Sequence, residues 1–95
     1  IYVEDNCRAL DLVLREGEVG EIYNIGSHNE KTNLEVTEAI LDAVGASEDL
    51  IEFVDDRAGH DQRYALEVEK IVELGWEPEY SFEAALDETV AYYLD

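Results

Sequence analysis

The chain has 95 residues, enough for one small domain or for a piece of a larger one. Its 25 Asp and Glu against 6 Lys and Arg give a net charge of −19. That charge excludes binding to nucleic-acid phosphates and to an anionic membrane surface, because both would repel it. The acids are spread evenly along the sequence, which favours adaptation to a very salty (halophilic) cytoplasm. An acidic module that binds a basic partner is the alternative.

The N-terminal quarter predicts a short strand followed by a helix. Residues 1–3 are β-like, and Asp5 suits the N-cap of a helix that ends at Gly17. The predicted apolar face of this helix carries Cys7, Leu10 and Leu14, with Ala9 and Val13 beside them. Cys7 is the single cysteine, which excludes an intrachain disulfide, and it is expected to be a small core residue.

The middle of the chain predicts two strands around a second helix. Residues 21–26 alternate as a strand, and residues 50–54 form another. Between them, Thr32 and Glu35 match a capping box that opens a helix closed by Gly45.

The C-terminal third predicts two more helices. The first lies within residues 66–74 and is closed by Gly75, and Ser81 caps the second. The order is therefore βαβαβ followed by two helices, and the predicted fold class is α/β with short strands and about four helices. No signal peptide or long apolar run is present, which predicts a soluble cytoplasmic protein, and the abrupt start at Ile1 predicts a fragment.

The most informative stretch is the turn at residues 55–65, where scarce cations gather. Arg57, His60 and Arg63 could bind the oxygens of a diphosphate, and Gly59 would let the backbone turn or approach a ligand closely. The equally weighted alternative is a set of solvated ion pairs with the neighbouring aspartates, which would imply no function.

Asn33 is a second candidate, since a side-chain amide at a helix start can meet a ligand. A plain capping role is the simpler interpretation and is preferred on residue type alone. His28, His60 and the carboxylates lack the spacing of a metal site. The sequence also has no dinucleotide-binding glycine fingerprint and no evident catalytic set, so no catalytic residue is predicted.

Several motifs resemble the dTDP-glucose 4,6-dehydratases, a family of NAD-dependent extended short-chain dehydrogenase/reductases. The motifs at residues 29–36 and 56–65 (Asn-Glu-Lys-Thr-Asn-Leu-Glu-Val and Asp-Arg-Ala-Gly-His-Asp-Gln-Arg-Tyr-Ala) are the most specific ones. Those at residues 2–9, 20–26, 74–78 and 88–94 also match, so the resemblance covers essentially the whole chain in the family's order. Ala58 and Ser27 depart from the family's usual Pro and Gly, and neither change removes a proposed ligand contact.

The resemblance implies that residues 1–95 are the C-terminal, nucleotide-sugar-binding part of an enzyme that converts dTDP-glucose to dTDP-4-keto-6-deoxyglucose. The NAD-binding Rossmann domain and the catalytic groups would lie outside this chain, which alone would be inactive and monomeric, whereas the full enzyme would be a homodimer. Carried over by position, the implied substrate contacts are Asn33, Asp56, Arg57, Gly59 and His60, with Arg63 and Tyr64 as weaker candidates.

Two alternatives to this function are kept. One is the same part of another nucleotide-sugar epimerase or decarboxylase, and the other is a non-enzymatic acidic binding module. The charge of −19 also predicts a chain that is more ordered in molar salt than in dilute buffer. Circular dichroism across a KCl series tests this prediction, and a flat response would count against salt adaptation.

Overall fold

The computed structural model describes residues 1–62 and 66–95. Four α-helices follow one another in this part of the chain, with a single 3₁₀ turn at Glu48–Leu50 between the second and the third. The α-helices are α1 (Val3–Glu16), α2 (Asn33–Val44), α3 (Glu69–Glu73) and α4 (Phe82–Leu94). None of them is long and apolar enough to cross a membrane.

The ends of α2 and α4 lie where the capping residues predict them. The Glu35 N–H donates to Thr32 Oγ1 at 3.1 Å, and the Thr32 N–H donates to Glu35 Oε2 at 3.3 Å. Gly45 ends α2 in the left-handed conformation (φ 72°), which suits a residue without Cβ. Ser81 Oγ caps α4 by accepting from the Ala84 N–H at 3.1 Å. The predicted capping box and both predicted caps are therefore confirmed.

The start and the buried face of α1 differ from the prediction. The helix begins at Val3, so the predicted strand at residues 1–3 and the predicted N-cap at Asp5 are both wrong. Asp5 lies inside the first turn and is only 1% exposed. Periodicity alone did not select the centre of the buried face. Helix α1 buries Asp5 and Ala9 and leaves Cys7, Leu10 and Leu14 in solvent, so only the flanking Ala9 and Val13 of the predicted face contribute to the core. Cys7 is accordingly exposed, and its assignment to the core is wrong.

The predicted strands are not confirmed. Residues 21–26 and 50–54 contain no strand, and no ladder joins them to any other segment that the structure describes. Alternating side chains make a segment suitable for a sheet, but a strand also needs a neighbour whose N–H and C=O groups pair with its own. The described residues therefore contain the helices of the predicted α/β fold and no sheet.

The apolar core lies between α1, α3 and the segment that follows α3. It consists of four fully buried side chains with partly buried leucines, valine and isoleucine around them; the four are Ala9, Val68, Ile71 and Trp76. Helix α3 is too short to be stable by itself, so this burial is what holds it in place. Helices α2 and α4 pack on each other as a second unit.

Asp5 joins α1 to the loop after α3 by hydrogen bonds. Its Oδ1 accepts from the Glu79 N–H at 2.9 Å, and its Oδ2 accepts from the Tyr80 N–H at 3.3 Å. The Arg8 guanidinium pairs with the same carboxylate. The Trp76 indole N–H donates to the backbone carbonyl of Asp5 at 3.0 Å, so both ends of this residue are occupied.

The molecule is flat. Its extents are 49 × 35 × 17 Å, and its radius of gyration is 16.3 Å. A globular chain of this length would have a radius of gyration of about 12 Å. The four buried apolar side chains are therefore the core of a slab, and much apolar surface stays in contact with solvent.

Candidate functional site

An open cleft of about 810 Å³ lies where α2 and α4 begin. Its walls come from the loop before α2, the first turn of α2, the turn at residues 60–62 and the first half of α4. The side chains that line it include Lys31, Asn33, His60, Gln62, Phe82 and Leu86. The caps at Thr32 and Ser81 fix where the two helices start, and the position of the cleft follows from them.

The turn before the cleft is organised by Asp56. Its Oδ1 accepts from the Arg57 N–H at 2.9 Å and lies 2.6 Å from His60 Nδ1. The backbone N–H of His60 donates to the backbone carbonyl of Arg57 at 3.3 Å. Gly59 has the positive φ of 75° that this turn requires. The imidazole of His60 is thus held at Nδ1.

The same contact shifts the acidity of Asp56. The hydrogen bond with His60, assisted by the Arg57 N–H, holds the pKa of Asp56 below its ordinary value. Hydrogen bonds to the charged form of a carboxylate favour that form, so Asp56 stays ionised beside the imidazole. A carboxylate in this place orients the imidazole ring.

Two of the predicted site residues meet at the cleft. Asn33 and His60 both line it, although they are 27 residues apart in the sequence. Thr32, not Asn33, is the N-cap of α2, so the capping role for the Asn33 side chain is wrong. Asp56, Arg57 and Gly59 lie behind the cleft wall and form the turn that carries His60. Arg63 and Tyr64 lie outside the described residues.

The alternative interpretation, in which the arginines of the turn pair with the neighbouring aspartates, is not confirmed within the described residues. The contact seen there joins Asp56 to His60, and Arg57 takes part through its backbone N–H. This contact holds a residue that lines the cleft.

The sequence reasoning missed Lys31. Its Nζ lies 5.3 Å from the centre of the Phe82 ring, a cation–π contact that places the ammonium at the edge of the cleft. It also borders a second, shallower cavity of about 480 Å³ between α2 and α4. A signal was available, because Lys31 is one of only two lysines in the chain and directly precedes the capping box.

The cleft combines a few polar donors with an apolar wall. Lys31, Asn33 and His60 can donate to an anion, and Phe82 and Leu86 offer a surface for a flat apolar group. Three acidic side chains, Glu30, Glu35 and Asp61, also line it, so the cations must act at short range. No group of residues suited to a metal ion occurs among the described residues.

The chain's own residues do not fit NAD. A dinucleotide site needs a strand, a glycine-rich turn and a helix whose N-terminus meets the pyrophosphate. The described residues contain no strand, and the sequence has no Gly-x-Gly-x-x-Gly motif. A nicotinamide cofactor would therefore be held by residues outside this chain.

Comparison with known proteins places the chain among nucleotide-sugar dehydratases. The sequence model of the GDP-mannose 4,6 dehydratase family matches residues 1–89. The chain is 69% identical over 94 residues to the low-salt glycan biosynthesis protein Agl12 of Haloferax volcanii. It is 52% identical over 107 aligned positions to the dTDP-glucose 4,6-dehydratase of Neisseria gonorrhoeae.

Solved structures of dTDP-glucose 4,6-dehydratases share the fold. The Bacillus anthracis enzyme in complex with NAD superimposes with a TM-score of 0.88 at 52% identity, covering 97% of this chain and 29% of its own. The Streptomyces venezuelae enzyme, with NAD and TYD bound, gives 0.89 at 47% identity, covering 96% of this chain and 29% of its own. The chain spans about 30% of the length of the curated relatives, 30% for the Haloferax protein and 31% for the Neisseria enzyme.

Proposed function

The chain belongs to the GDP-mannose 4,6-dehydratase family, and we propose that it is the nucleotide-sugar-binding part of a dTDP-glucose 4,6-dehydratase. The observation that carries the proposal is the cleft, which brings Asn33 and His60 together from distant parts of the sequence. Relatives named dTDP-glucose 4,6-dehydratase match nearly the whole chain at 46–52% identity, which supports the choice of substrate class.

In this proposal His60 and Lys31 hold the diphosphate. The imidazole keeps Nδ1 on Asp56 and offers Nε2 to a phosphate oxygen. Lys31 adds a point charge from the cleft edge, steadied by the Phe82 ring. Asn33 can donate its side-chain amide, and it lies at the positive end of α2.

Arg57 and Gly59 serve His60 more directly than they serve the ligand. The Arg57 N–H fixes Asp56, and Gly59 permits the turn that returns the chain to the cleft. Ala58 lies in this turn at the family's usual proline position. The hydrogen bonds of the turn form with alanine there, so they do not require the proline.

The whole reaction needs residues beyond this chain. The intact enzyme would oxidise the sugar at C4, eliminate water across C5 and C6, and reduce C6. NAD supplies the hydride chemistry when it is bound, and the Rossmann domain that would hold it lies outside residues 1–95. The role of this chain is to bind and orient the substrate, and by itself it would not catalyse the reaction.

The binding proposal is tested by titrating the ¹⁵N-labelled chain with thymidine diphosphate in molar KCl. We expect chemical-shift changes at Lys31, Asn33 and His60. His60→Asn should weaken binding about fivefold, the loss of about one hydrogen bond. The matched control is His28→Asn, because His28 does not line the cleft and Asn tolerates its positive φ of 55°. Shifts confined to residues outside the cleft, or equal effects of the two variants, would contradict the proposal.

The choice of nucleotide needs a separate assay. The matching family model carries the name of GDP-mannose 4,6 dehydratase, so a GDP-sugar is the competing substrate class. A full-length dehydratase carrying these 95 residues is offered dTDP-glucose, GDP-mannose and UDP-glucose in turn. We expect dehydration of dTDP-glucose, and turnover of the other sugars alone would overturn the dTDP assignment.

We extend the proposal to the setting of the enzyme. The Haloferax volcanii relative and the net charge of −19 support a salt-adapted protein. A cytoplasmic homodimer for the full-length enzyme remains a prediction, which sedimentation in molar KCl and cell fractionation can test.

A further inference from the structure

The outer face of α1 carries an unpartnered apolar stripe. It consists of Val3, Cys7, Leu10 and Leu14, at the spacing i, i+4, i+7 and i+11. At 3.6 residues per turn these positions fall within an arc of about 60° and extend for about 17 Å along the helix. Val3 is 64% exposed, Leu10 is 55% exposed, Leu14 is 85% exposed, and Cys7 is exposed as well.

The stripe is distinct from the face that α1 already uses. Asp5 and Ala9 are turned to the core, with Leu12 and Val13 packed beside them. The centres of the two faces are roughly 145° apart around the helix axis. A helix that is apolar on two separated faces is normally covered on both sides.

The exposed area of the whole molecule supports the same conclusion. The chain exposes 7829 Å² of surface. A globular monomer of this size exposes about 5,500 Å². The excess is of the order that large, permanent interfaces bury. The molecule is only 17 Å thick, so its two broad faces offer exposed surface that a partner could cover.

We infer that the α1 stripe is an interface, and that its occupant is the part of a full-length dehydratase that lies outside the matched region. The curated relatives are about three times as long as the segment that matches, since it spans 30% of the Haloferax protein. Long apolar side chains at regular helical spacing are suited to packing against another layer of the same protein.

A second copy of the chain is the main rival occupant, and the length of the stripe disfavours it. The stripe has the spacing of a coiled-coil seam, but it lasts less than two heptads, whereas a stable seam needs three or four. The inference rests on family membership and relative length, and not on the proposed nucleotide, so the two can fail separately.

Cys7 makes the stripe directly measurable, because it is the single cysteine of the chain and lies within the stripe. The test compares its alkylation by N-ethylmaleimide in two proteins, the 95-residue chain and the Haloferax relative in which this chain replaces the matching segment. Peptide mass spectrometry in molar KCl gives the rate at Cys7. We expect alkylation in the long protein to be slower by about tenfold or more.

Two variants sharpen the result. Leu14→Glu places a charge in the stripe and should restore fast alkylation of Cys7 in the long protein. Val19→Glu is the control, because Val19 is fully exposed and lies outside α1, and it should leave Cys7 protected. A cysteine can also be placed at the position aligned with Cys7 in the otherwise unaltered Haloferax relative. Its alkylation rate tests the same interface in a protein whose folding does not depend on the exchanged segment.

Equal alkylation rates in the long proteins and the 95-residue chain would overturn the inference. Protection of the 95-residue chain that grows with its concentration, together with a dimer mass in sedimentation, would show a second copy as the occupant and would also overturn it. Failed binding of thymidine diphosphate would leave this result unaffected.

Discussion

Asp5 and Asp56 are two carboxylates with similar partners and different surroundings. Each accepts backbone N–H bonds and pairs with a nitrogen side chain, Arg8 for one and His60 for the other. Asp5 is 1% exposed, whereas the side chain of Asp56 is 73% exposed. The first ties two segments 74 residues apart, and the second stays within one turn.

The difference shows what burial adds to the same set of hydrogen bonds. Burial raises the pKa of Asp5, but the N–H groups of Glu79 and Tyr80 and the Arg8 side chain outweigh it and leave the pKa below its ordinary value. The pKa of Asp56 is lowered mainly by His60. Removing the partners of a buried charge is costly, while an exposed pair is replaced by water and screened by salt. Asp5 therefore stabilises the fold, and Asp56 holds the His60 side chain at the cleft.

Asp5→Ala should have the largest effect on stability. It leaves two backbone N–H groups without their acceptor and removes one partner of Arg8, which keeps the Glu77 carbonyl and the Glu79 carboxylate. We expect a cost of about 3 kcal/mol. Urea unfolding followed by circular dichroism in molar KCl measures it. The control is Asp11→Ala, which breaks the exposed Asp11–Arg15 pair of 2.7 Å and should change stability by less than about 0.5 kcal/mol. Similar losses of stability in the two variants would contradict the distinction between a buried and an exposed carboxylate.

Trp76→Phe tests the second link to Asp5. The substitution keeps an aromatic ring in the core but removes the indole N–H that donates to the Asp5 carbonyl. We expect a loss of about 1–3 kcal/mol, because a buried acceptor is left unpaired and some volume is lost. The same urea titration applies. A variant as stable as the original chain would show that this hydrogen bond is dispensable.

Thr32→Ala tests the cap that positions the cleft. Loss of the hydroxyl breaks the capping box with Glu35 and should cost about 1 kcal/mol. Thr37→Ala in the same helix is the matched control, since its hydroxyl donates only to the Asn33 carbonyl and its removal should be close to neutral. Thermal unfolding compares them, and an equal shift for both would exclude a special role for the cap.

Acid titration gives the smallest effect and the sharpest contrast. The pKa of each aspartate is lower in the folded state than the unfolded value of about 3.9. The stabilisation that each provides is therefore present above that pH and is lost as the pH falls through the folded pKa. In molar KCl, Asp5→Asn should remove a clear acid-dependent contribution to the free energy of unfolding. Asp56→Asn should remove none that can be resolved, and the reverse ranking would contradict the comparison.

The local signals of the sequence were reliable. Thr32 with Glu35, Gly45 and Ser81 predicted helix ends that the structure has, because caps and left-handed glycines act within a few residues. The pairing of Asn33 with His60 could be suggested only by resemblance, and it is the fold of the described residues that brings them to one cleft.

Signals that depend on distant partners were not reliable. The capping role of Asp5 and the burial of Cys7 were predicted from residue pattern alone and are wrong, and the strands predicted at residues 21–26 and 50–54 are not confirmed. Each of these features depends on the residues that pack against the segment or pair with it. Sequence periodicity and residue propensity do not specify those residues. Lys31 was missed for the same reason, since its importance comes from Phe82, 51 positions away.

By itself, the sequence determined the charge, the family motifs and the helix ends at Thr32, Gly45 and Ser81, since these depend on composition and on contacts within one or two turns. The tertiary structure decided which face of α1 is buried, that Asp5 is a buried tie and not a cap, and that Asn33, Lys31 and His60 share a cleft. Burial and long-range hydrogen bonds are properties of two segments at once, and only the folded chain brings the second segment to the first.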